Sequence, residues 1–217
     1  MDRLNELNIE MKDIRLIYVH DPMCSWCWGF EPVRTRLFNA LPKNLKIEYL
    51  LGGLAPDSDQ PMTKEMQSML QSTWLKIQKT IPGTQFNFDF WTKCLPRRST
   101  YPSNRAVIAA RMQGEKFAQF MTLRIQEAYY LEAKNPSDNN TLVALSNDLG
   151  LDSVKFEKDL VSKEVDIKLK QEISFCREMK MNSFPSLAIQ SENKLVPIKL
   201  DYLNENSMLR EIHEISR

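Results

Sequence analysis

With 217 residues, 42% of them hydrophobic and 26% charged, the chain has the composition of one large globular domain, or of a domain carrying a substantial insertion. A formal net charge of +1 lacks the basic balance of a nucleic-acid or anionic-membrane binder, and no apolar run approaches the roughly 18–20 residues a membrane span requires. Neither nucleic acid nor membrane is therefore expected as a partner.

Met1 to Asp13 mixes Asp2, Glu6, Glu10 and Asp13 with Arg3 and Lys12. It has no cationic start leading into an apolar stretch, so no secretory signal is expected and a cytoplasmic location is. Arg15 to His20 holds the run Leu16-Ile17-Tyr18-Val19, reads as a buried strand and is broken by Asp21-Pro22. Cys24-Ser25-Trp26-Cys27 follows. A helix to about Leu41 is then expected, with Phe30, Val33, Leu37 and Leu41 on one face; Pro32 kinks it or marks its start, and Pro42 ends it. Lys46 to Leu51 is a second strand, closed by Gly52-Gly53. This β-α-β unit requires parallel strands.

The next 130 or so residues read almost entirely as helix. Met62, Met66, Met69, Leu70, Trp74, Ile77 and Ile81 share one face of Pro61–Ile81; the methionines are a candidate substrate groove, although such a stripe is more often core. Phe86, Phe88 and Phe90 alternate, as an extended segment or an aromatic loop. Ser103 is expected to cap Asn104 to Gln113, with Gly114 as its stop. A helix through Phe117, Met121, Ile125 and Tyr129 runs up to Asn135-Pro136. Asp138 or Thr141 opens another that Gly150 ends. Asp152 caps a short one, and Ser162 caps one running to about Met181. The period then returns to that of strands at Ser186–Ile189 and Leu195–Leu200, joined through Ser191-Glu192-Asn193, and a last amphipathic helix covers Asn206 to Ile215.

The dithiol carries the chemistry. A CxxC at a strand-to-helix turn puts Cys24 at or near a helix N-terminus, where unpaired N–H groups and the helix dipole favour negative charge on sulfur. Cys24 is the candidate nucleophile, with the more exposed sulfur; Cys27, one turn on, is the resolving thiol that attacks the mixed disulfide. A zinc site would need a second CxxC or paired histidines, and the remaining thiols are the isolated Cys94 and Cys176. No metal is expected. His20 would add positive charge near Cys24 if protonated; the alternative is a partly exposed ring without a catalytic part. Trp26 is a platform for substrate or a packing residue, whereas packing is favoured for Trp28. Cys176 fits a buried stripe with Val165, Leu169 and Ile173; Cys94 has no clear place, and a Cys94–Cys176 disulfide is the less favoured alternative to two thiols. Arg97-Arg98 and the lysines around Lys163 read as solvated surface.

The order β-α-β, helical block, β-β-α, with CxxC at the first strand–helix junction, resembles the thioredoxin superfamily, and the helical block resembles the DsbA family. The tract Asp21-Pro22-Met23-Cys24-Ser25-Trp26-Cys27-Trp28-Gly29 is similar to the cytosolic DsbA-like branch of FrnE-type and disulfide-isomerase proteins. Leu142 to Asp152, running on to Ser183-Phe184-Pro185-Ser186-Leu187, is a second match. The resemblance implies an α/β thioredoxin-like fold, discontinuous over 14–53 and 184–217, with a large all-helical insertion at 54–183. It implies that Pro185 is cis and catalytic with Cys24 and Cys27, and that the backbone of Phe184 pairs with substrate. Trp26, Phe184 and His20 are the candidate substrate-binding residues.

The implied function is thiol–disulfide exchange in the reductase or isomerase direction, on protein or small-thiol disulfides. It needs no cofactor beyond the dithiol, with glutathione or another thiol as co-substrate and a recycling redox partner. The Ser-Trp dipeptide differs from the Pro-His of periplasmic oxidants and leaves the direction open. Kappa-class glutathione transferases and 2-hydroxychromene-2-carboxylate isomerases share the element order and are the alternative; they need one activating group, not two cysteines. A binding or chaperone module that keeps the fold is a third.

Overall fold

The computed structural model describes residues 14–191 and 194–216. The N-terminal segment and the Glu192-Asn193 link lie outside the described residues. In chain order the elements are β1 (Ile14–His20), α1 (Ser25–Ala40), β2 (Lys46–Leu51), α2 (Lys64–Thr80), α3 (Phe90–Lys93), α4 (Tyr101–Arg111), α5 (Lys116–Tyr130), α6 (Asn139–Asp148), α7 (Ser153–Leu160), α8 (Lys163–Glu178), β3 (Ser186–Ser191), β4 (Lys194–Ile198) and α9 (Glu205–Ile215).

The apolar run of β1 makes it a central strand. It pairs in parallel with β2, Tyr18 opposite Tyr49, and antiparallel with β3, Ile17 opposite Ala188; β4 completes the order β2-β1-β3-β4. Side chains alternate across a strand, so a continuous apolar run is stable only where both faces are covered. Leu16 and Tyr18 join Phe30, Val33 and Leu37 of α1 and Met208 and Ile212 of α9. Ile17 and Val19 meet Cys176 and Met181 beside α8. The sheet is thus built from both ends of the chain, with the helical block inserted between β2 and β3 as expected.

Within that block, Ala106 and Ile108–Ala110 of α4 are fully buried and pack with Met121, Ile125, Leu142, Phe156 and Ile173. A helix buried on most of its sides belongs at the centre of its neighbours. Its start differs from expectation. Thr100 is the N-cap, Pro102 sits in the first turn where its missing N–H costs nothing, and Ser103 is inside the helix, donating to the Pro136 carbonyl at 3.0 Å. The aromatic stretch is a loop entering α3, wrapped on Trp74: Phe86 stacks on it at 4.8 Å and Phe90 tilts at 6.1 Å. Of the methionine stripe only Met62, ahead of α2, is buried, and Met69 is 51% exposed. Arg97 is not free surface either; it donates to the Ser137 carbonyl and to Asp138. Asp152 and Ser162 cap α7 and α8 through the N–H groups of Lys155 and Val165. Helix α1 begins ahead of Pro32, which lies inside it.

Candidate active site

Asp21 to Cys24 form the turn between β1 and α1. The Cys24 N–H donates to the Asp21 carbonyl at 3.0 Å, and Cys24 is the N-cap of α1: its sulfur accepts from the Cys27 N–H at 3.4 Å. The same sulfur donates to the carbonyl of Phe184 at 3.3 Å, from a residue 160 positions away. The Phe184–Pro185 peptide bond is cis. Folding therefore brings together Cys24, Cys27, Phe184 and Pro185. Cys24 is 6% exposed and Cys27 fully buried, both as free thiols. Burial, and then the neighbouring Cys24, push the Cys27 thiol well above the usual range.

Trp26 is half-buried and meets the edge of Tyr202 at 5.2 Å. Trp28 packs: it stacks on Tyr130 at 5.7 Å, and its ring nitrogen donates to the Gln85 carbonyl at 3.0 Å. His20 differs from both sequence options. Its ring is 4% exposed, stacks on Tyr18 at 5.0 Å and lines an interior cleft that contains neither cysteine. Burial, then the nearby Arg34 and Arg111 guanidiniums, lower its pKa to about 3. Its charged form is disfavoured and its ring is covered, in a cleft apart from the cysteines.

Two parts of the site escaped the sequence reading. The first is Asp21, which the sequence offers as a strand breaker and as the start of the dithiol tract but with no role of its own. Its buried carboxylate accepts from the Met23 N–H, the Leu54 N–H, the Thr100 hydroxyl and the Asn104 amide, each at 2.8 Å. Burial nevertheless outweighs these donors and raises its pKa. A charged residue three positions before the dithiol was the available signal; its three distant partners, 33 to 83 residues away, had none. The second is Gly52. A Cβ there would stand 1.9 Å from the Phe184 ring, so only glycine lets the two loops meet.

Cys94 donates to the Ala133 carbonyl at 3.0 Å, and Cys176 lies in another apolar cluster with its thiol pushed up to about 12, chiefly by burial. Both are free. Among the described residues no three His, Cys, Asp or Glu side chains converge as a metal site, and no helix is long and apolar enough to cross a membrane.

A family model described as Thioredoxin matches residues 17–205, from β1 through the start of α9. The chain belongs to this family. Among solved members of the fold, a provisionally named protein disulfide isomerase from Nitrosomonas europaea superposes with a TM-score of 0.79 at 25% identity, covering 93% of this chain and 96% of that one. The cytosolic disulfide reductase DsbM from Pseudomonas aeruginosa, with GSH, gives 0.71 at 25%, covering 93% and 98%. The architecture is thus a DsbA-like thioredoxin fold. Curated relatives carry a different name. The ClpXP adapter protein SpxH of Bacillus subtilis is 29% identical over 182 residues, 81% of this chain and 58% of the relative. That of Halalkalibacterium halodurans is 26% identical over 186 residues, 84% and 60%. The chain spans about three fifths of the length of these relatives.

Proposed function

We propose that the protein is a cytoplasmic thiol–disulfide oxidoreductase working in the reductase or isomerase direction, with Cys24 as nucleophile and Cys27 as resolving thiol. The observation that carries this reading is the position of the Cys24 sulfur. It caps α1, faces the Cys27 N–H and touches the backbone of the residue before Pro185. In the reduced protein the Cys24 sulfur attacks a substrate disulfide. A Cys24–substrate S–S bond forms, the substrate S–S bond breaks, and one substrate sulfur leaves as a thiol. Cys27 then loses its proton and attacks Cys24; the Cys24–Cys27 disulfide forms and the second substrate thiol leaves. Two electrons have passed to the substrate, and an external thiol must restore the dithiol. Because Cys27 is held protonated, resolution waits on proton loss. That delay gives a substrate's own thiol time to attack instead, which is isomerisation.

Phe184, whose carbonyl accepts from the sulfur, and Trp26, in the first turn of α1, are the proposed substrate contacts, with Pro185 shaping the loop. The GSH-bound reductase among the structural neighbours supports glutathione as co-substrate or recycling thiol, and a cytosolic neighbour supports the compartment. Cys24→Ser is expected to abolish reduction of insulin and of oxidised glutathione, and Cys27→Ala to accumulate the mixed disulfide. Full activity in Cys24→Ser would end this reading. Full glutathione-transferase turnover in Cys27→Ala would favour the single-group transferase or isomerase alternative.

A second reading has its own support in the adapter name of the curated relatives. Here the fold presents a partner protein to a protease, and the thiols are dispensable. Partner binding that persists in the Cys24→Ser, Cys27→Ser double variant, with no turnover in the parent, would favour it.

A further inference from the structure

Beside Phe184 the surface opens into a cleft of about 510 Å³ whose lining includes Gly52, Gly53, Arg177, Met181, Asn182 and Phe184. Its size suits a small peptide-like molecule. One wall is bare backbone at Gly52, held against the Phe184 ring, and at Gly53, whose φ of +62° and crowding by Ile173 also favour glycine. The Phe184 residue that borders the cleft gives its carbonyl to the Cys24 sulfur, so cleft and nucleophile share one residue.

The charge of this cleft sets it apart. In the molecule's other described clefts the arginines are already held by carboxylates: Arg34 by Glu31, Arg111 by Glu172, Arg97 by Asp138, Arg105 by Asp57 and Arg15 by Glu48. Arg177 is exposed, makes no ion pair among the described residues, and shares its cleft with no acidic side chain. Nor is it occupied with its own helix terminus. The last carbonyls of α8 are taken by the chain that follows: Phe175 accepts from Met179, Cys176 from Met181, and Arg177 from Lys180. A guanidinium left free in a concave, otherwise uncharged site is a bidentate carboxylate binder, and the Asn182 amide adds a donor.

We infer that this cleft is the carboxylate-binding subsite of the dithiol, and that it selects small disulfides bearing a carboxylate near the reacting sulfur, Arg177 being the residue that recognises them. The inference rests on the thiol–disulfide reading above and adds to it a substrate class and a specificity residue. Arg177 makes no contact with the sulfurs; its part is to orient the substrate, so its effect depends on the charge of the disulfide offered.

The test compares two small disulfides as substrates of the reduced full chain: oxidised glutathione, which carries carboxylates, and cystamine, which carries ammonium groups instead. In Arg177→Ala the second-order rate with oxidised glutathione should fall about tenfold, the scale of one charge-assisted hydrogen bond. The rate with cystamine should stay unchanged or rise. Arg177→Lys should recover part of the glutathione rate, since it restores the charge but not the fork. Equal loss with both disulfides, or no loss with either, overturns the subsite while leaving the dithiol reading intact. Failure of the unsubstituted protein to react with either disulfide overturns the dithiol reading, and the subsite with it.

Discussion

At the scale of single residues, His20 and Asp21 show how burial rewrites the meaning of a side chain. In the folded protein His20 stays neutral down to about pH 3, while in the unfolded chain it takes up a proton near pH 6.5. Between those values unfolding binds a proton, so stability rises with pH there: the contribution is fully present above about pH 6.5 and is lost as the pH falls. The loss is about 2 kcal/mol on going from pH 6.5 to pH 5. Asp21 runs the other way. Its raised folded pKa stabilises most below the ordinary carboxylate range and loses that contribution as pH rises through the folded value. Comparing urea unfolding of the parent with His20→Phe at pH 7 and pH 5 isolates the histidine. The parent is expected to lose about 2 kcal/mol more than the variant on acidification, and an identical pH dependence in both would refute the assignment. A histidine four residues from a cysteine looks like an electrostatic neighbour in the sequence. Its field is decided instead by Arg34 and Arg111, from α1 and α4.

At the scale of elements, the two loops that frame the sulfur are matched to each other. The turn after β2 offers Gly52, and the loop before β3 lays the Phe184 ring against it. Gly52→Ala must push the ring aside and with it the carbonyl that accepts from Cys24. The expected cost is about 1–3 kcal/mol, the range for overpacking, together with slower disulfide exchange. Adding Phe184→Ala should return most of the stability but not the exchange rate, and a Gly52→Ala protein as stable as its parent would show that the contact is slack. Most elements were legible because periodicity and capping are local: β2 and the caps at Asp152 and Ser162 lie where their residues put them. Helix α4 was misjudged at its start because Ser103, a good cap by type, finds a better partner in the Pro136 carbonyl. The aromatic loop stayed ambiguous because Phe86 and Phe90 are ordered by Trp74 of a different helix and not by their own spacing.

For the whole molecule, the Asp21 carboxylate ties the end of β1 to the β2–α2 loop through Leu54 and to the helical block through Thr100 and Asn104. Asp21→Ala strands the Leu54 N–H and one Asn104 amide proton, while the Thr100 hydroxyl keeps the Ala55 carbonyl at 3.3 Å, and about 2 kcal/mol or more of stability should go with it. Asp21→Asn, which keeps the shape and part of the acceptor capacity, should lose less. Chemical denaturation decides this, and a loss under about 1 kcal/mol in Asp21→Ala would mean that the carboxylate holds nothing together. The dithiol tract and the strand–helix order were present in the order of residues, because each depends on neighbours a few positions apart; the split of the sheet between the two chain ends, which pairs Ile17 with Ala188, was implied by the family resemblance. Tertiary structure alone decided which sulfur meets Phe184, that His20 is neutral and covered, that Asp21 anchors the turn, and that Arg177, without an ion pair among the described residues, lines a cleft bordered by Phe184. Each of these depends on burial or on a partner far along the chain, and a carboxylate or an imidazole has no fixed charge or role until its surroundings have been assembled around it.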